Sequence, residues 1–522
     1  MQRTPRRLLL ASAATMIAAT LALTACGGSP SGGGSAAATP TTGGDVVVGG
    51  LTSAALDPGQ LGYSNQSRVF TAPILGSLFL PPLEPGQDVR PGVATGYEYD
   101  EDATRFTITL REGAQYSDGT PITAESVAWN LERNGAPGLS SSQYFAYVED
   151  VATPDDTTVV ITFTQPYGLM PEALAFTTLG YLVSPTALER MGDDAFNQAP
   201  VGAGPFVVDS VDPGQELVLA KSPTYWDAEH VYLDSVTWIN TGTEMQATLV
   251  KLRSGAIQSA GFSGSTTAPA VLDQAEGDPG LWGIATAATT YQVLPVNTFA
   301  PPFDDERARE AIAYCMDRES LAKNVTQGYS SPVFVISGAD SNFLDGWEEG
   351  KELNPYQHDV AKGTELVKEL GGLSFDVVTY ANSPVVVALQ QQWAECGIDA
   401  AITVTDAYTQ QISNGNYQAG FAVSTSGYNP SMSTVFQDRG TALGSHGFDD
   451  PHITQLIDEA RGLIDPAAQK AKWVEIWKAV ADLAVSFPII SAPTYVFSST
   501  CLQGVTTTTN TGGVYDNAFL TC

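Results

Sequence analysis

Basic residues are scarce in this 522-residue chain, in which 24 lysines and arginines stand against 57 aspartates and glutamates, for a formal net charge of −33. Proteins that bind nucleic acid place cationic side chains against phosphates, and a chain this acidic repels a polyanion. The composition therefore argues against a nucleic-acid partner. With 43% hydrophobic and 16% charged residues, the chain also lacks the charge-rich, apolar-poor composition of disordered proteins.

Histidine and cysteine are scarce too, with four and five residues, and His-Glu-x-x-His, Cys-x-x-Cys and the Gly-rich phosphate loop are all missing. Gly261–Ser265 lacks the second glycine of a nucleophile elbow, and Ser320-x-x-Lys323 occurs without its Ser-Asp-Asn and Lys-Thr-Gly partners. The ligand-type residues between His446 and His452 are interpreted as a solvated loop before a helix. We therefore expect no enzyme, no metal site and no cofactor.

Long apolar runs are limited to the start of the chain, where Leu8–Leu23 is too short and too rich in alanine for a membrane span. Three arginines precede it, as in a signal peptide. The segment ends in Leu-Thr-Ala-Cys26-Gly, which resembles the lipobox of bacterial lipoproteins, where the cysteine is acylated and the chain is cut before it. We expect residues 1–25 to be the signal peptide and Cys26 the lipidated residue. An ordinary secretory signal with a chance cysteine is the alternative.

In the segment 26–44, the residues that follow Cys26 are almost entirely glycine, serine, alanine, threonine and proline. Such a segment cannot bury a core and is typical of a flexible tether. The sequence thus predicts an extracytoplasmic protein that is held at the outer face of the cell membrane by its lipid.

Strand and helix patterns alternate along the rest of the chain, which predicts an α/β fold. Arg105–Arg111 alternates between polar and apolar residues, as in a half-buried strand. Asp304–Val325 is predicted to be one helix. Asp465 and Pro466 are the residues preferred at a helix N-cap and first position, and Trp473 and Trp477 lie on the apolar stripe that follows.

Three blocks of sequence carry a family resemblance: Tyr97–Val127, which contains Leu-Arg and Asp-Gly-Thr-Pro; Gly202–Phe206 with the later Tyr225-Trp226; and Asn297–Arg318 with its Met-Asp-Arg end. Their order and spacing resemble those of the extracytoplasmic solute-binding proteins of peptide-type ABC importers, solute-binding protein family 5. The resemblance runs from Asp45 to Phe497. It implies a monomer that binds a solute and delivers it to the membrane subunits of an ABC permease.

The resemblance also implies a two-lobed periplasmic-binding-protein fold of the large, three-domain type II variety, with a hinge and a cleft for the solute between the lobes. Domain I is then discontinuous and comprises residues 45–66, 198–288 and 488–522. Domain II spans 67–197 and completes the first lobe. Domain III, the opposite lobe, spans 289–487.

The cysteines of the body fall into two pairs. Cys501 and Cys522 would close a loop of about twenty residues in an oxidising compartment, and we expect them to form a disulfide. Cys315 and Cys396 lie on apolar helix faces, where we expect buried thiols, although a bridge between them is left open.

In the family, an aspartate in a Gly/aromatic stretch of the opposite lobe pairs with the peptide's α-amine. The matching stretch here is Ser424–Pro430, and when it is aligned on Pro430, Ser426 takes the place of that aspartate. An ammonium group enclosed without a partner would be costly. A free dipeptide is therefore not expected. The expected solute is a long, capped or modified peptide. The alternatives are an oligosaccharide or a metal chelate as the solute, or a role as a sensor of partner proteins.

A solute cleft needs aromatic walls and a few fixed polar groups. The residues that we expect to contact the solute are Tyr63, Tyr144, Tyr291, Thr425, Ser426, Gly427, Tyr428 and Tyr495.

Overall fold

The computed structural model describes residues 39–51, 55–59, 68–82, 87–139, 141–286, 290–336, 344, 346–425, 449–508 and 512–522. The chain divides into Met1–Thr39 and the compact unit Pro40–Cys522, and the structure discussed below belongs to the second. In this described part, no helix has the length and apolar character needed to cross a bilayer.

The strands, in chain order, are β1 (Asp45–Gly49), β2 (Phe79–Leu80), β3 (Arg90–Pro91), β4 (Ala94–Tyr99), β5 (Arg105–Leu110), β6 (Val148–Asp155), β7 (Thr158–Phe163), β8 (Phe206–Asp212), β9 (Glu216–Lys221), β10 (Ser235–Ile239), β11 (Ser259–Ser263), β12 (Leu281–Ala285), β13 (Thr290–Pro295), β14 (Leu373–Thr379), β15 (Ile398–Val404), β16 (Ala419–Thr425), β17 (Ser486–Ser491), β18 (Thr494–Ser499), β19 (Leu502–Gln503), β20 (Thr506–Thr508), β21 (Gly512–Val514) and β22 (Phe519–Leu520).

The α-helices are α1 (Arg68–Leu75), α2 (Ala124–Asn134), α3 (Ser142–Phe145), α4 (Met170–Phe176), α5 (Pro185–Met191), α6 (Asp193–Gln198), α7 (Met245–Arg253), α8 (Pro269–Glu276), α9 (Glu306–Tyr314), α10 (Arg318–Ser320), α11 (Trp347–Leu353), α12 (Val360–Glu369), α13 (Pro384–Glu395), α14 (Tyr408–Ser413), α15 (Pro451–Arg461) and α16 (Pro466–Asp482). Short 3-10 helices cover Thr178–Gly180 and Ala228–His230, and a π-helix covers Leu321–Val325.

The first lobe is built on a seven-stranded sheet with the order β12-β18-β11-β1-β10-β9-β8. At its centre β1 is parallel to both β10 and β11, while the outer pairs are antiparallel. Val46 and Val48 of β1 are buried, as expected for a β-branched strand with neighbours on both sides.

A four-stranded antiparallel sheet, β4-β5-β7-β6, extends this lobe. The alternating pattern of Arg105–Leu110 is confirmed, since Phe106, Ile108 and Leu110 are buried while Arg105 is exposed. The side chain of Thr123 caps α2 by accepting a hydrogen bond from the backbone N–H of Ser126. The Ser126 hydroxyl in turn accepts one from the backbone N–H of Thr123. Serine thus fills the role that glutamate has in the usual capping box.

The second lobe, defined here as residues 290–491, contains a five-stranded sheet with the order β15-β14-β16-β13-β17. β14 is parallel to β15 and β16, and β13 is antiparallel to β16 and β17. Asp465 caps α16 and Pro466 is its first residue. Trp473 and Trp477 of this helix are fully buried, so the predicted helix and its apolar face are confirmed.

The single helix predicted for Asp304–Val325 is wrong. α9 ends at Tyr314, and the chain starts again at Arg318 as α10, followed by the π-helix. The side chain of Asp317 accepts a hydrogen bond from the backbone N–H of Ser320, so this acid caps a new helix and does not lie within the old one.

Both pairs of body cysteines are bonded in the structure. Cys501 and Cys522 form a disulfide between residues 21 positions apart. Cys315 and Cys396 form another across 81 positions, so the expectation of two free thiols is wrong. Cys315 is the C-cap residue after α9 and Cys396 the C-cap residue after α13, and the packing of these two helix ends brings the sulfurs together.

Candidate functional site

Two segments of chain connect the lobes side by side. One leads from β12 to β13 and the other from β17 to β18. Thr286 donates its backbone N–H to the carbonyl of Thr494 at 2.9 Å, and Ala492 donates to the carbonyl of Thr290 at 2.7 Å. These backbone hydrogen bonds hold the two connecting segments side by side. The pair of segments is called the paired crossover below.

The parallel strands of both sheets end at this crossover. In the first lobe, Ser263 at the carboxyl end of β11 pairs with Thr494. In the second lobe, Thr425 at the carboxyl end of β16 pairs with Thr290. Ligands of α/β proteins bind outside the carboxyl ends of parallel strands. The space between these two sheet edges, called the interlobe cleft below, is therefore the candidate site.

On the second lobe, this sheet edge carries exposed apolar side chains. Tyr380 follows β14 and is 51% exposed, and Val404 at the end of β15 and Val423 in β16 are exposed as well. The ring of Tyr408 lies edge-on to that of Tyr380 at 5.6 Å, and burial raises the pKa of Tyr408. This edge therefore offers one exposed ring, that of Tyr380, at the cleft, while the hydroxyl of Tyr408 lies near Gly420 at the start of β16.

On the side of the first lobe, two tyrosines fix the lobes to each other. The hydroxyl of Tyr495 donates to the carbonyl of Tyr329 at 3.0 Å, and the two rings meet edge to face at 5.2 Å. The hydroxyl of Tyr329 in turn donates to Asp273 of α8 at 2.9 Å. Burial and this carboxylate raise the pKa of Tyr329, so its hydroxyl stays protonated and keeps donating.

A second contact between the lobes lies beside the four-stranded sheet. Arg461, the last residue of α15, donates from its guanidinium to the hydroxyl of Tyr147 at 2.6 Å. Its backbone carbonyl accepts from the N–H of Gly168 at 2.6 Å. A Cβ at Gly168 would lie 1.9 Å from the carbonyl oxygen of Leu463. The lobes therefore approach closely here.

The predicted contact residues are distributed unevenly. Tyr495 and the backbone of Thr425 lie at the crossover. Tyr144 belongs to the core of the four-stranded sheet and is 4% exposed, and Tyr291 is fully buried in the second lobe. In this conformation neither ring reaches the cleft surface.

The remaining predicted residues, Tyr63, Ser426, Gly427, Tyr428 and the lipidation site Cys26, lie outside the described residues. Tyr380 and Arg461 also lie at the candidate site, and the sequence analysis did not name them. A tyrosine directly after a buried strand was a usable signal for Tyr380.

Ligand-type side chains for a metal come together at Asp227, Glu229 and His230, on and beside a short 3-10 helix of the first lobe. His230 and Asp227 already bond to each other at 2.5 Å, and this contact raises the pKa of the imidazole. The group is open to solvent, and we assign no metal to it.

Comparison with known proteins places the chain in a family. Residues 88–442, more than half of the chain, match the family described as bacterial extracellular solute-binding proteins, family 5 Middle. The chain belongs to this family of ABC-importer binding proteins, as predicted, and the family consists of solute-binding proteins and not of enzymes.

The chain is also similar to curated relatives in sequence and to solved structures in fold. The glutathione-binding protein GsiB of Salmonella typhi is 30% identical over 334 residues, which cover 62% of this chain and 63% of that protein, so the match spans less than two thirds of it. DppA from Helicobacter pylori, solved with the peptide STSA, has a TM-score of 0.77 at 20% identity, with 92% of this chain and 98% of that one covered. AgaA from A. tumefaciens R10, solved with agropinic acid, has a TM-score of 0.77 at 22% identity and coverage of 92% and 99%. The predicted α/β binding-protein fold is confirmed.

Proposed function

We propose that the protein captures a peptide or peptide-like solute in the interlobe cleft and delivers it to an ABC-type permease. The observation that carries the proposal is that parallel strands of both sheets end at the paired crossover. Two sheet edges that face each other across two antiparallel connections can enclose a solute when the lobes rotate toward each other. The relatives named above, which bind glutathione or the peptide STSA, support the solute class.

The solute is inferred to be a peptide whose α-amine is blocked or stays outside the closed cleft. No acidic residue occurs between Asp406 and Asp438, the stretch in which the family resemblance places the aspartate that pairs with an α-amine. The exposed ring of Tyr380, supported from behind by Tyr408, would pack against an apolar part of the solute.

We further propose that the lipid on Cys26 holds the protein at the outer face of the membrane as a monomer. The tether from 26 to 44 would separate the lobes from the bilayer. The seven-, four- and five-stranded sheets would be the centres of domains I, II and III with the boundaries predicted above. The exception is β17 (Ser486–Ser491), which pairs with β13 and therefore belongs to domain III. Replacement of Cys26 by alanine should release the protein from the membrane fraction, and unchanged fractionation would refute the anchor.

Thermal unfolding of the protein against a panel of solutes tests the binding function. The panel contains free short peptides, N-acetylated peptides, oligosaccharides and metal chelates. A ligand at one hundred times its dissociation constant adds about 2.7 kcal/mol to the free energy of unfolding. We expect this gain for N-acetylated peptides. A gain for free peptides alone would refute the inference from Ser426, and a gain for oligosaccharides or chelates alone would replace the solute class.

A pair of variants locates the binding. Tyr380→Ala removes the exposed ring at the cleft, whereas Phe299→Ala removes a 43% exposed ring beyond the opposite end of β13. We expect the first change to weaken binding about tenfold, as the loss of a ring contact does, and the second to leave it unchanged. Equal effects of both variants would place the solute elsewhere.

A further inference from the structure

The second lobe has a pocket of about 480 Å³ that is separate from the interlobe cleft. All the residues that line it lie between Met316 and His358, and none comes from the first lobe. The pocket is bounded by α10, the π-helix and α11. A volume of this size fits a small metabolite.

Arg318 is one of the residues that line the pocket, and it is only 2% exposed. Its Nε donates to the carbonyl of Pro488 at 2.7 Å. Both terminal nitrogens are buried and have no hydrogen-bond partner among the described residues. Burial lowers the pKa of Arg318 to about 10, so it remains a cation at neutral pH. A buried cation with unused donors is costly unless an acceptor reaches it.

The charges around Arg318 favour an anion. Glu319 is paired with Lys351, and Asp317 caps α10 and lies 3.5 Å from His358. Neither acid neutralises Arg318 or Lys323, which form no ion pair within the part of the chain that the structure describes. In a protein with a net charge of −33, two cations of the described structure thus have no ion-pair partner here: Lys323 is exposed at the pocket, and Arg318 is buried beside it.

Ser320 and Lys323 form the Ser-x-x-Lys motif, and both residues line the pocket. The π-helix Leu321–Val325 begins directly after Ser320. Such helices are rare and occur often at functional sites. The side chain of Asn324 donates to the hydroxyl of Ser320 at 2.8 Å, which leaves the serine proton available to another acceptor.

We propose that this pocket binds a small oxyanion, carrying a carboxylate or a phosphate group, between Arg318 at its floor and Lys323 at its rim. A planar guanidinium can donate two parallel hydrogen bonds to either group, and Ser320 would donate a third. The site is independent of the solute in the interlobe cleft.

The ring of Phe334 lies over the guanidinium at 5.2 Å and is stacked on Trp347 at 6.0 Å. Since the terminal nitrogens are buried, an anion reaches them only when this ring shifts. Binding should therefore change the fluorescence of Trp347. The variant Trp347→Phe identifies this signal among the eight tryptophans.

The test titrates the protein with inorganic phosphate and, separately, with succinate at constant ionic strength, followed by tryptophan fluorescence and calorimetry. We expect saturable binding of at least one anion. Lys323→Gln should weaken it roughly tenfold, the value of a hydrogen bond to a charged group, and Arg318→Lys should abolish it. Lys368→Gln, which removes an exposed lysine at the end of α12, is the matched control and should bind normally.

The two probes distinguish phosphate ligands from carboxylate ligands. If Arg318→Lys fails to fold, Lys323→Gln and Ser320→Ala still decide, since both change only the rim. The proposal is overturned if neither anion saturates, or if Lys323→Gln and Lys368→Gln bind equally well.

Discussion

The Arg461 guanidinium and the Tyr147 hydroxyl, 314 positions apart in the chain, meet at 2.6 Å and join the two lobes beside the interlobe cleft. Arg461 is held for this contact by Asp458 at 3.0 Å, and its charge lies 5.5 Å from the centre of the Tyr147 ring. The bond spans two lobes that the crossover already connects. It therefore acts on the equilibrium between separated and closed lobes.

The first prediction concerns this bond. Tyr147→Phe keeps the ring and its stacking on Tyr167 but removes the hydroxyl. A hydrogen bond to a charged group contributes about 1.5–3 kcal/mol, so the ratio of separated to closed molecules should rise at least tenfold. Small-angle X-ray scattering without solute should show a larger radius of gyration. An unchanged scattering curve would contradict the assignment of this contact to closure.

The second prediction uses the close approach at Gly168. An added Cβ there would meet the backbone of Leu463 in the opposite lobe at 1.9 Å, and a backbone carbonyl cannot move aside cheaply. Gly168→Ala should therefore prevent the lobes from reaching this conformation and weaken solute binding, while the melting temperature without solute changes little. Gly96→Ala is the matched control, because a Cβ at Gly96 meets nothing within 4 Å. Equal solute affinity in both variants would be the contrary result.

The elements that local chemistry fixes were predictable from sequence. Asp465 and Pro466 start α16 because an N-cap acid and a first-position proline satisfy the helix terminus with neighbouring residues alone. The alternation of polar and apolar residues in β5 likewise predicted a strand with one buried face, because it depends only on neighbouring residues.

The rest depends on residues that are distant in sequence. Tyr144 and Tyr291 were assigned to the solute as aromatic residues near the expected cleft, yet packing places both rings in cores. Whether Cys315 meets Cys396 depends on how α9 packs against α13, and the contact of Arg461 with Tyr147 depends on the angle between the lobes. Local patterns carry no information on either.

The third prediction compares the two disulfides. In the loop-entropy description, the bond between Cys315 and Cys396, 81 positions apart, stabilises the fold by about 4.5 kcal/mol, and the bond between Cys501 and Cys522, 21 positions apart, by about 3.4 kcal/mol. Replacing each pair by alanines should cost more for the first pair. Denaturant unfolding of both variants measures the difference. A larger loss from the second pair would show that strain or residual structure outweighs loop closure.

The last prediction concerns Glu172 in the first turn of α4, one of whose carboxylate oxygens is buried without a hydrogen-bond partner in the described structure. Burial, opposed in part by its own backbone N–H and reinforced by Asp88, raises its pKa to about 7. The folded state then holds the proton more tightly than the unfolded state does, so this group stabilises the fold at low pH. Its contribution to the free energy of unfolding is fully present below about pH 4.5. It is lost as the pH rises through about 7.

Glu172→Gln mimics the protonated side chain and should remove this pH dependence, so that the variant gains on the order of 2 kcal/mol over the wild type at pH 8. The free energy of unfolding in denaturant, measured between pH 4.5 and 8, gives the slope for both proteins. Glu189→Gln, at an exposed position of α5, changes the same charge without burial and should keep the wild-type slope. A Glu172→Gln protein that follows the wild-type slope as well would mean that the folded protein solvates this carboxylate, and that α4 is more open to water than its packing indicates.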